Sequence, residues 1–191
     1  YERAGAAVIQ LEDQEFPKKC GHTPGRRVIP FEDAVAKVKV AVASRESKDF
    51  LVMARTDARG GYGLDEALRR GEAFAEAGAD IIFIESPQSE EEMRRVGETF
   101  AGLPLMANMV EGGLTPILPI DQLKDIGYTI AIYPGTGFLA MGAALKKVYS
   151  QIQETGSSLG AAADLDNFQD FSKLMGFQAV WDFEKKWADE G

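Results

Sequence analysis

A single cysteine and a single histidine stand two positions apart in the segment Pro17-Lys18-Lys19-Cys20-Gly21-His22, with Arg26 and Arg27 close behind. A cationic neighbourhood favours the thiolate, the reactive form of cysteine, so Cys20 reads as a chemical group rather than a small buried hydrophobe. Any Cys-His or Ser-His-Asp hydrolase would have to use His22, and one Cys with one His gives zinc too few of its usual soft ligands. Hard-metal chemistry stays open. Glu12 and Asp13 close one apolar run and Glu85 closes another; such oxygens suit Mg²⁺, which keeps several waters and takes one or two carboxylates. Salt-bridging to Arg55 is their competing use. Arg55 itself emerges from an apolar run, where a planar guanidinium fork suits a substrate carboxylate. Asn108 and Thr136 can hydrogen-bond the same anion, and the loop Glu111-Gly112-Gly113 can bring backbone N–H groups to it; local loop capping is the alternative for each. Together these residues describe an anion-binding mouth.

Elements of regular spacing must position them. Five apolar runs of strand length, Ala6 to Leu11, Phe50 to Ala54, Ile81 to Ile84, Leu105 to Ala107 and Ile130 to Tyr133, are each followed by a polar loop and a helical pattern. The runs are continuous apart from Gln10, which predicts strands buried on both faces. One helical stripe is Phe31, Ala34, Val35, Val38 and Val42; a second is Leu64, Ala67, Leu68, Gly71, Phe74 and Ala75, ending at Gly78. Ser89 with Glu92 spells a capping box. A short helix is expected over Asp121 to Ile126 and a longer one from about 135 to 153, stopped by Gly156.

Strand followed by helix, repeated, implies a parallel sheet. The polar or turn-forming residues fall at the C-terminal end of every strand: Glu12 and Asp13, Arg55 and Asp57, Glu85, Asn108, and Pro134 to Thr136. A TIM-type (β/α)8 barrel gathers such ends at one mouth, whereas an open sheet would concentrate its ligand residues at one switch point. A whole barrel takes roughly 250 residues, so only about the last five β/α units are expected here. Residues 1–154 are read as the C-terminal part of the barrel and 155–191 as C-terminal helices. The loop after the first strand lacks a G-x-G-x-x-G turn, and no Walker-type loop occurs. The terminal segment carries Phe168, Phe171, Phe177, Trp181, Phe183 and Trp187; this aromatic density asks for burial, against the barrel or by exchange with a neighbouring subunit.

The 191 residues are 45% hydrophobic and carry a net charge of −9, enough for a core and unsuited to nucleic acid or an anionic membrane as the main partner. One cysteine cannot form an internal disulfide, and no apolar run reaches a membrane span, so a reducing, cytoplasmic setting is expected. A chain that opens on Tyr1 and runs straight into strand-like sequence is expected to be preceded by a further N-terminal part.

The motifs Glu12-Asp13-Gln14, Lys18-Lys19-Cys20-Gly21-His22, Met53-Ala54-Arg55-Thr56-Asp57-Ala58, Gly78-Ala79-Asp80, Glu85, Ala107-Asn108, Glu111-Gly112-Gly113 and Thr115-Pro116 resemble the isocitrate lyase / phosphoenolpyruvate mutase superfamily over essentially the whole chain. The Lys-Lys-Cys-Gly-His block resembles its lyase branch. That resemblance implies an α/β barrel using Mg²⁺, or Mn²⁺ in its place, to hold an α-hydroxy or α-keto acid. It implies carbon–carbon cleavage by a reverse aldol or Claisen step. By similarity Cys20 protonates the carbanion, Lys18 and His22 set its charge state, Arg55 binds a substrate carboxylate and Glu85 supports the site. Glu12 would hold metal-bound water, Asn108 and Thr136 would meet a second carboxylate, and the cysteine loop would close as a gate. The family's early aspartate pair and glycine-containing substrate loop are not found in this sequence; three further strand-helix units would supply them.

Pro134 after Tyr133 resembles the 2-methylisocitrate lyase type, while Met109-Val110 and Gly135-Thr136-Gly137 depart from its pattern and line the expected pocket. A small branched di- or tricarboxylic hydroxy acid is the expected substrate, of the 2-methylisocitrate or 2,3-dimethylmalate type, in a homotetramer built as a dimer of dimers. The competing activities are oxaloacetate hydrolysis or decarboxylation and carboxyphosphonoenolpyruvate phosphonomutase chemistry. A non-catalytic carboxylate-binding module is the alternative of another class.

Overall fold

The computed structural model describes residues 1–188, apart from the side chains at 162–164; the last three positions of the expected 155–191 segment lie outside the described residues. Five short strands follow one another in the chain, β1 (Val8–Glu12), β2 (Leu51–Thr56), β3 (Ile81–Ile84), β4 (Met106–Asn108) and β5 (Ile130–Ile132). Between them lie α1 (Phe31–Ser44), α2 (Arg59–Tyr62), α3 (Leu64–Glu76), α4 (Glu90–Thr99) and α5 (Ile120–Ile126). All strand pairs are parallel, in the order β1-β2-β3 and β4-β5, and a parallel bridge between Ile82 and Leu105 relates β3 to the start of β4. Strand order thus follows chain order with no reversal.

The strand period of two divides the side chains between two apolar clusters. Ala54, Ile82, Ile84 and Ala107 pack with Ala34 and Val38 of α1, Ala67, Leu68 and Phe74 of α3, Met93 and Val96 of α4 and Leu123 and Ile126 of α5. The alternate residues Met53, Ile81, Phe83 and Met106 form a smaller cluster on the other face, edged by Leu51, Ile130 and Ile132. Burial on both faces holds for β2 and β3 but not for the outer strands: Val8 of β1 is 37% exposed and β5 is half-buried throughout. Among the described residues each outer strand has a strand partner along one edge only.

The capping box at α4 forms in part. Ser89 Oγ accepts the Glu92 N–H at 3.1 Å, but the Glu92 carboxylate accepts from the Gln88 N–H at 2.8 Å instead of from Ser89.

By its contacts the chain divides into two units, Tyr1–Gly137 and the remainder from Phe138. The boundary expected at 154 falls at the end of α6 (Thr136–Thr155). The second unit holds most of α6, a 3-10 turn, α7 (Phe168–Leu174) and α8 (Phe177–Trp187). Asn167 caps α7 by accepting the N–H groups of Gln169 and Asp170, and Gly176 in the left-handed region turns the chain into α8. Phe168, Phe183 and Trp187 on these helices are exposed.

Candidate active site

Register assembles the chemistry. Glu12 pairs with Arg55 across β1 and β2, and Arg55 pairs with Phe83 across β2 and β3. Counting by twos from Met53, Phe83 and Met106 therefore brings Arg55, Glu85 and Asn108 to the face of the small cluster, with Glu12 beside Arg55. The Arg55 guanidinium lies 5.0 Å from the Phe83 ring centroid, its flat face covered by apolar carbon and its edge directed at carboxylates.

Arg55 Nε and Nη2 donate to the two Asp57 oxygens at 2.8 and 3.0 Å, Nη2 also meets Glu85 at 3.2 Å, and Nε lies 3.6 Å from Glu12. From sequence the guanidinium fork is expected on a substrate carboxylate; the structure gives its Nε/Nη2 edge to Asp57. Burial works against the Arg55 charge, yet Asp57, Glu85 and Glu12 outweigh it and raise its pKa above the ordinary value. Burial likewise pushes the Glu85 carboxyl up, but the His22 hydrogen bond, Arg55 and the Asn108 amide bring it below the usual range. Glu85 is held as a carboxylate.

The loop carrying Cys20 leaves β1 and returns to α1 through a closed neck. Glu15 N–H donates to Arg27 O at 2.9 Å and Ile29 N–H to Asp13 O at 2.8 Å. Inside the neck, Gln14 bonds the backbone of Lys19 twice, through N–H and C=O, each at 2.9 Å. His22 then anchors the tip: its Nδ1 accepts the Leu114 N–H at 3.0 Å, and its Nε2 lies 3.0 Å from Glu85. An Nδ1 that accepts has no proton, so the network assigns the ring hydrogen to Nε2, donating to Glu85.

Two glycines make that approach possible. A Cβ on Gly21 would sit 2.5 Å from Glu85 Cδ and 2.6 Å from Arg55 Nη2, and one on Gly113 would sit 2.6 Å from His22 Nδ1. Gly113, expected as a backbone donor to substrate, donates its N–H to Val110 O at 2.9 Å, and its missing Cβ leaves room for His22.

Cys20 is exposed, at the loop tip. Neither cationic helper expected for it bonds the thiol: Lys18 pairs with Glu12 at 2.8 Å, and His22 serves Glu85. Asn108 Nδ2 lies 3.3 and 3.4 Å from the Glu85 oxygens, while its Oδ1 is buried without a partner. Thr136 donates its hydroxyl to Glu111, so that hydrogen is already committed and Thr136 can only accept from a ligand. Glu111 Oε2 is buried and unpaired. Pro134 is exposed just beyond β5.

Three site members take roles that the sequence did not assign them. Asp57 holds Arg55. Ser86, buried at φ 55° directly after Glu85, occupies a backbone region that L-residues rarely adopt. Arg26 donates to Ser86 Oγ at 3.2 Å. The residue after Glu85 offers only a neighbouring proline as a signal. Asp13, at the end of β1 beside Glu12, points the other way and accepts from Thr56, the Asp57 N–H and Arg70.

Among the described residues no group of three His, Cys, Asp or Glu side chains converges to hold a metal ion. Glu12, Asp57 and Glu85 are each engaged with cations, matched one for one by Lys18, Arg26 and Arg55. These donors do not compose a metal centre by themselves, so no chemical step is assigned to one.

The model of the phosphoenolpyruvate phosphomutase family matches residues 1–153. The chain belongs to the PEP mutase/isocitrate lyase superfamily. Within that superfamily it is 48% identical over 188 residues to 2,3-dimethylmalate lyase of Eubacterium barkeri, covering 98% of this chain and 65% of that one. It is 44% identical over 188 residues to 2-methylisocitrate lyase of Aeropyrum pernix, covering 98% of this chain and 59% of the relative. A crystal structure of 2,3-dimethylmalate lyase superposes with TM-score 0.88 at 30% identity, over 100% of this chain and 65% of that one. Phosphonopyruvate hydrolase in complex with oxalate and Mg++ superposes with TM-score 0.80 at 29% identity, over 97% and 64% of the two chains. The chain thus spans less than two thirds of the length of these relatives. Its α/β architecture of parallel strands is that of the superfamily, and among the described residues no helix is long and apolar enough to cross a membrane.

Proposed function

We propose that the chain carries the acid-bearing side of a carbon–carbon lyase acting on a small branched 2-hydroxy acid of the 2,3-dimethylmalate or 2-methylisocitrate type, releasing pyruvate and a second acid. The observation that carries this reading is the Lys18-to-His22 loop, seated by Gly21 against the Arg55–Glu85 pair. In this reading the five strands are the last five of a (β/α)8 barrel, with the outer flanks of β1 and β5 meeting strands of the rest of the protein.

The chemistry assigned to these residues is a reverse aldol or Claisen cleavage. Arg55 Nη1 takes a substrate carboxylate. Transfer of the hydroxyl proton to a general base, a role assigned to none of these residues, drives the electrons of the Cα–Cβ bond onto the departing fragment as an enolate-like carbanion, which fixed cations stabilise. Cys20, at the tip of the loop above Arg55, gives that carbanion its proton. Glu85, held ionised by Arg55 and by the His22 N–H, keeps Arg55 and the loop tip in register, and Asn108 and Pro134 line the far side of the mouth.

A magnesium requirement of the whole protein rests on the relatives, with Glu12 as this chain's contribution toward metal-bound water. The exposed aromatic faces of α7 and α8 support helices exchanged between subunits of a homotetramer, which light scattering on the full-length protein tests.

The deciding experiment is parallel turnover of 2-methylisocitrate, 2,3-dimethylmalate and oxaloacetate by the full-length protein, with and without EDTA. Pyruvate from one branched acid, lost with EDTA and lost in Cys20→Ser, is the expected result. Oxalate plus acetate from oxaloacetate identifies a hydrolase instead, and carbon dioxide a decarboxylase. Binding of these acids without turnover identifies a carboxylate-binding module.

A further inference from the structure

We propose that Arg26 is a positioning residue that fastens the Cys20 loop to the end of β3 through Ser86 and, across Asp57, holds the guanidinium of Arg55 in place for substrate. Arg26 stands on the returning limb of the loop, and its side chain is 4% exposed. Nη2 donates to Ser86 Oγ at 3.2 Å, sixty positions away in sequence. Nη1 lies 3.8 Å from Asp57 Oδ1 and makes no hydrogen bond at all. That separation is a charge contact and too long for a hydrogen bond.

The slot is built for this one group. A Cβ on Gly60 would fall 1.9 Å from Arg26 Nη2, so a side chain at that place in α2 would displace the guanidinium from its present position. Ser86, which receives it, sits at φ 55° with its backbone strained and buried, a cost that surrounding contacts must maintain.

Asp57 is the shared counter-charge. Its two oxygens hold Arg55 in a bidentate fork, and Arg26 approaches the same Oδ1 from the loop side. Removing Arg26 leaves the carboxylates around Arg55 with one cation fewer, which draws Arg55 further into its protein partners and sets a negative excess against an anionic substrate. Lysine keeps the charge but cannot span Ser86 and Asp57 with one planar fork. Arg26 therefore couples the seating of the Cys20 loop to the readiness of Arg55.

The test compares Arg26→Gln and Arg26→Lys with the unaltered full-length protein. Trypsin cleavage after the exposed Lys18 and Lys19, followed by mass spectrometry of that peptide, reads the seating of the loop. KM and kcat for the acid turned over read Arg55, and this half rests on the lyase reading. Arg26→Gln is expected to speed loop cleavage about tenfold, as local opening becomes easier while the global melting temperature stays put. It should also raise KM by roughly tenfold with a smaller change in kcat, as expected when a charge-assisted hydrogen bond to the substrate is weakened. Arg26→Lys should restore most of KM and little of the loop protection. If Arg26→Gln does not fold, Gly60→Ala crowds the same guanidinium from α2 and carries the same test.

Unchanged loop cleavage together with unchanged KM overturns the proposal. So does equal loss in both lysine and glutamine variants with a lowered melting temperature, which marks Arg26 as a packing residue only. If the unaltered protein turns over none of the three acids, the lyase reading falls by itself; loop cleavage and the Kd for oxalate then decide Arg26 on the same terms.

Discussion

Two adjacent residues at the end of β1 lead to two different places. Asp13 points toward the helices, 1% exposed, and every oxygen is answered: Thr56 Oγ1 at 2.7 Å, the Asp57 N–H at 2.9 Å and Arg70 Nη1 at 3.0 Å. Glu12 points to the opposite face, where the groups around Arg55 are only partly answered. There Arg26 Nη1 and Asn108 Oδ1 are buried without hydrogen bonds. A satisfied polar cluster reads as a structural joint, whereas buried polar groups without partners call for an explanation, which on the Arg55 face is the ligand proposed above. Both use the same residue types, so composition does not tell them apart; completeness of hydrogen bonding does.

The contrast is broken most severely at Asp13. Asp13→Ala leaves the Asp57 N–H and the Thr56 hydroxyl without their acceptor in the helix-side core, while Arg70 keeps Glu66 and Ile29 O; each buried polar group left unsatisfied costs about 1–3 kcal/mol, which urea unfolding should register whatever happens to activity. Cys20→Ser lies at the other pole. It should abolish lysis in the turnover assay yet shift stability by no more than about 0.5 kcal/mol, since the residue is exposed. A Gly21→Ala variant sharpens the same point, because the added methyl meets the Arg55–Glu85 pair and must lift the loop. Its activity should drop on the order of a hundredfold by misplacement of the acid, with urea unfolding close to that of the parent.

The gentlest probe is pH. Glu85 has its pKa lowered by folding, so the stability it contributes is present above the ordinary carboxylate pKa and is lost as pH falls through its folded value. Asp13 has its pKa raised, by burial first, against the opposing pull of Asp57 N–H, Thr56 and Arg70. Its contribution is therefore greatest in acid and declines as pH rises through the folded value. Unfolding free energies of Glu85→Gln and Asp13→Asn, each against the parent between about pH 3 and pH 7, should diverge with opposite slopes. Parallel slopes would erase the electrostatic distinction between the two clusters.

Much of the framework is legible in sequence because it depends on near neighbours. Strand length, the stripes of α1 and α3, the Ser89 cap and the glycine stops at Gly127 and Gly156 follow from local propensity and period. The period of two also brings Arg55, Glu85 and Asn108 to one face once a register is known. The outer strands look buried in sequence because periodicity reports what a run prefers, and only the pairing reports whether a second neighbour is there to cover it.

The residue types of the site are likewise determined by sequence alone: a lone cysteine in a cationic loop, a histidine beside it, an arginine and carboxylates at strand ends. Which carboxylate takes which cation was decided by tertiary structure. His22 finds Leu114 across 92 positions and Arg70 finds Asp13 across 57, and no local pattern distinguishes these pairings from their rivals. Buried charges in a low-dielectric interior must be matched by whatever the fold brings within about 3 Å. That geometry gave the Arg55 edge to Asp57, put His22 to work on Glu85 rather than Cys20, and placed Arg26 where the loop meets the strand ends.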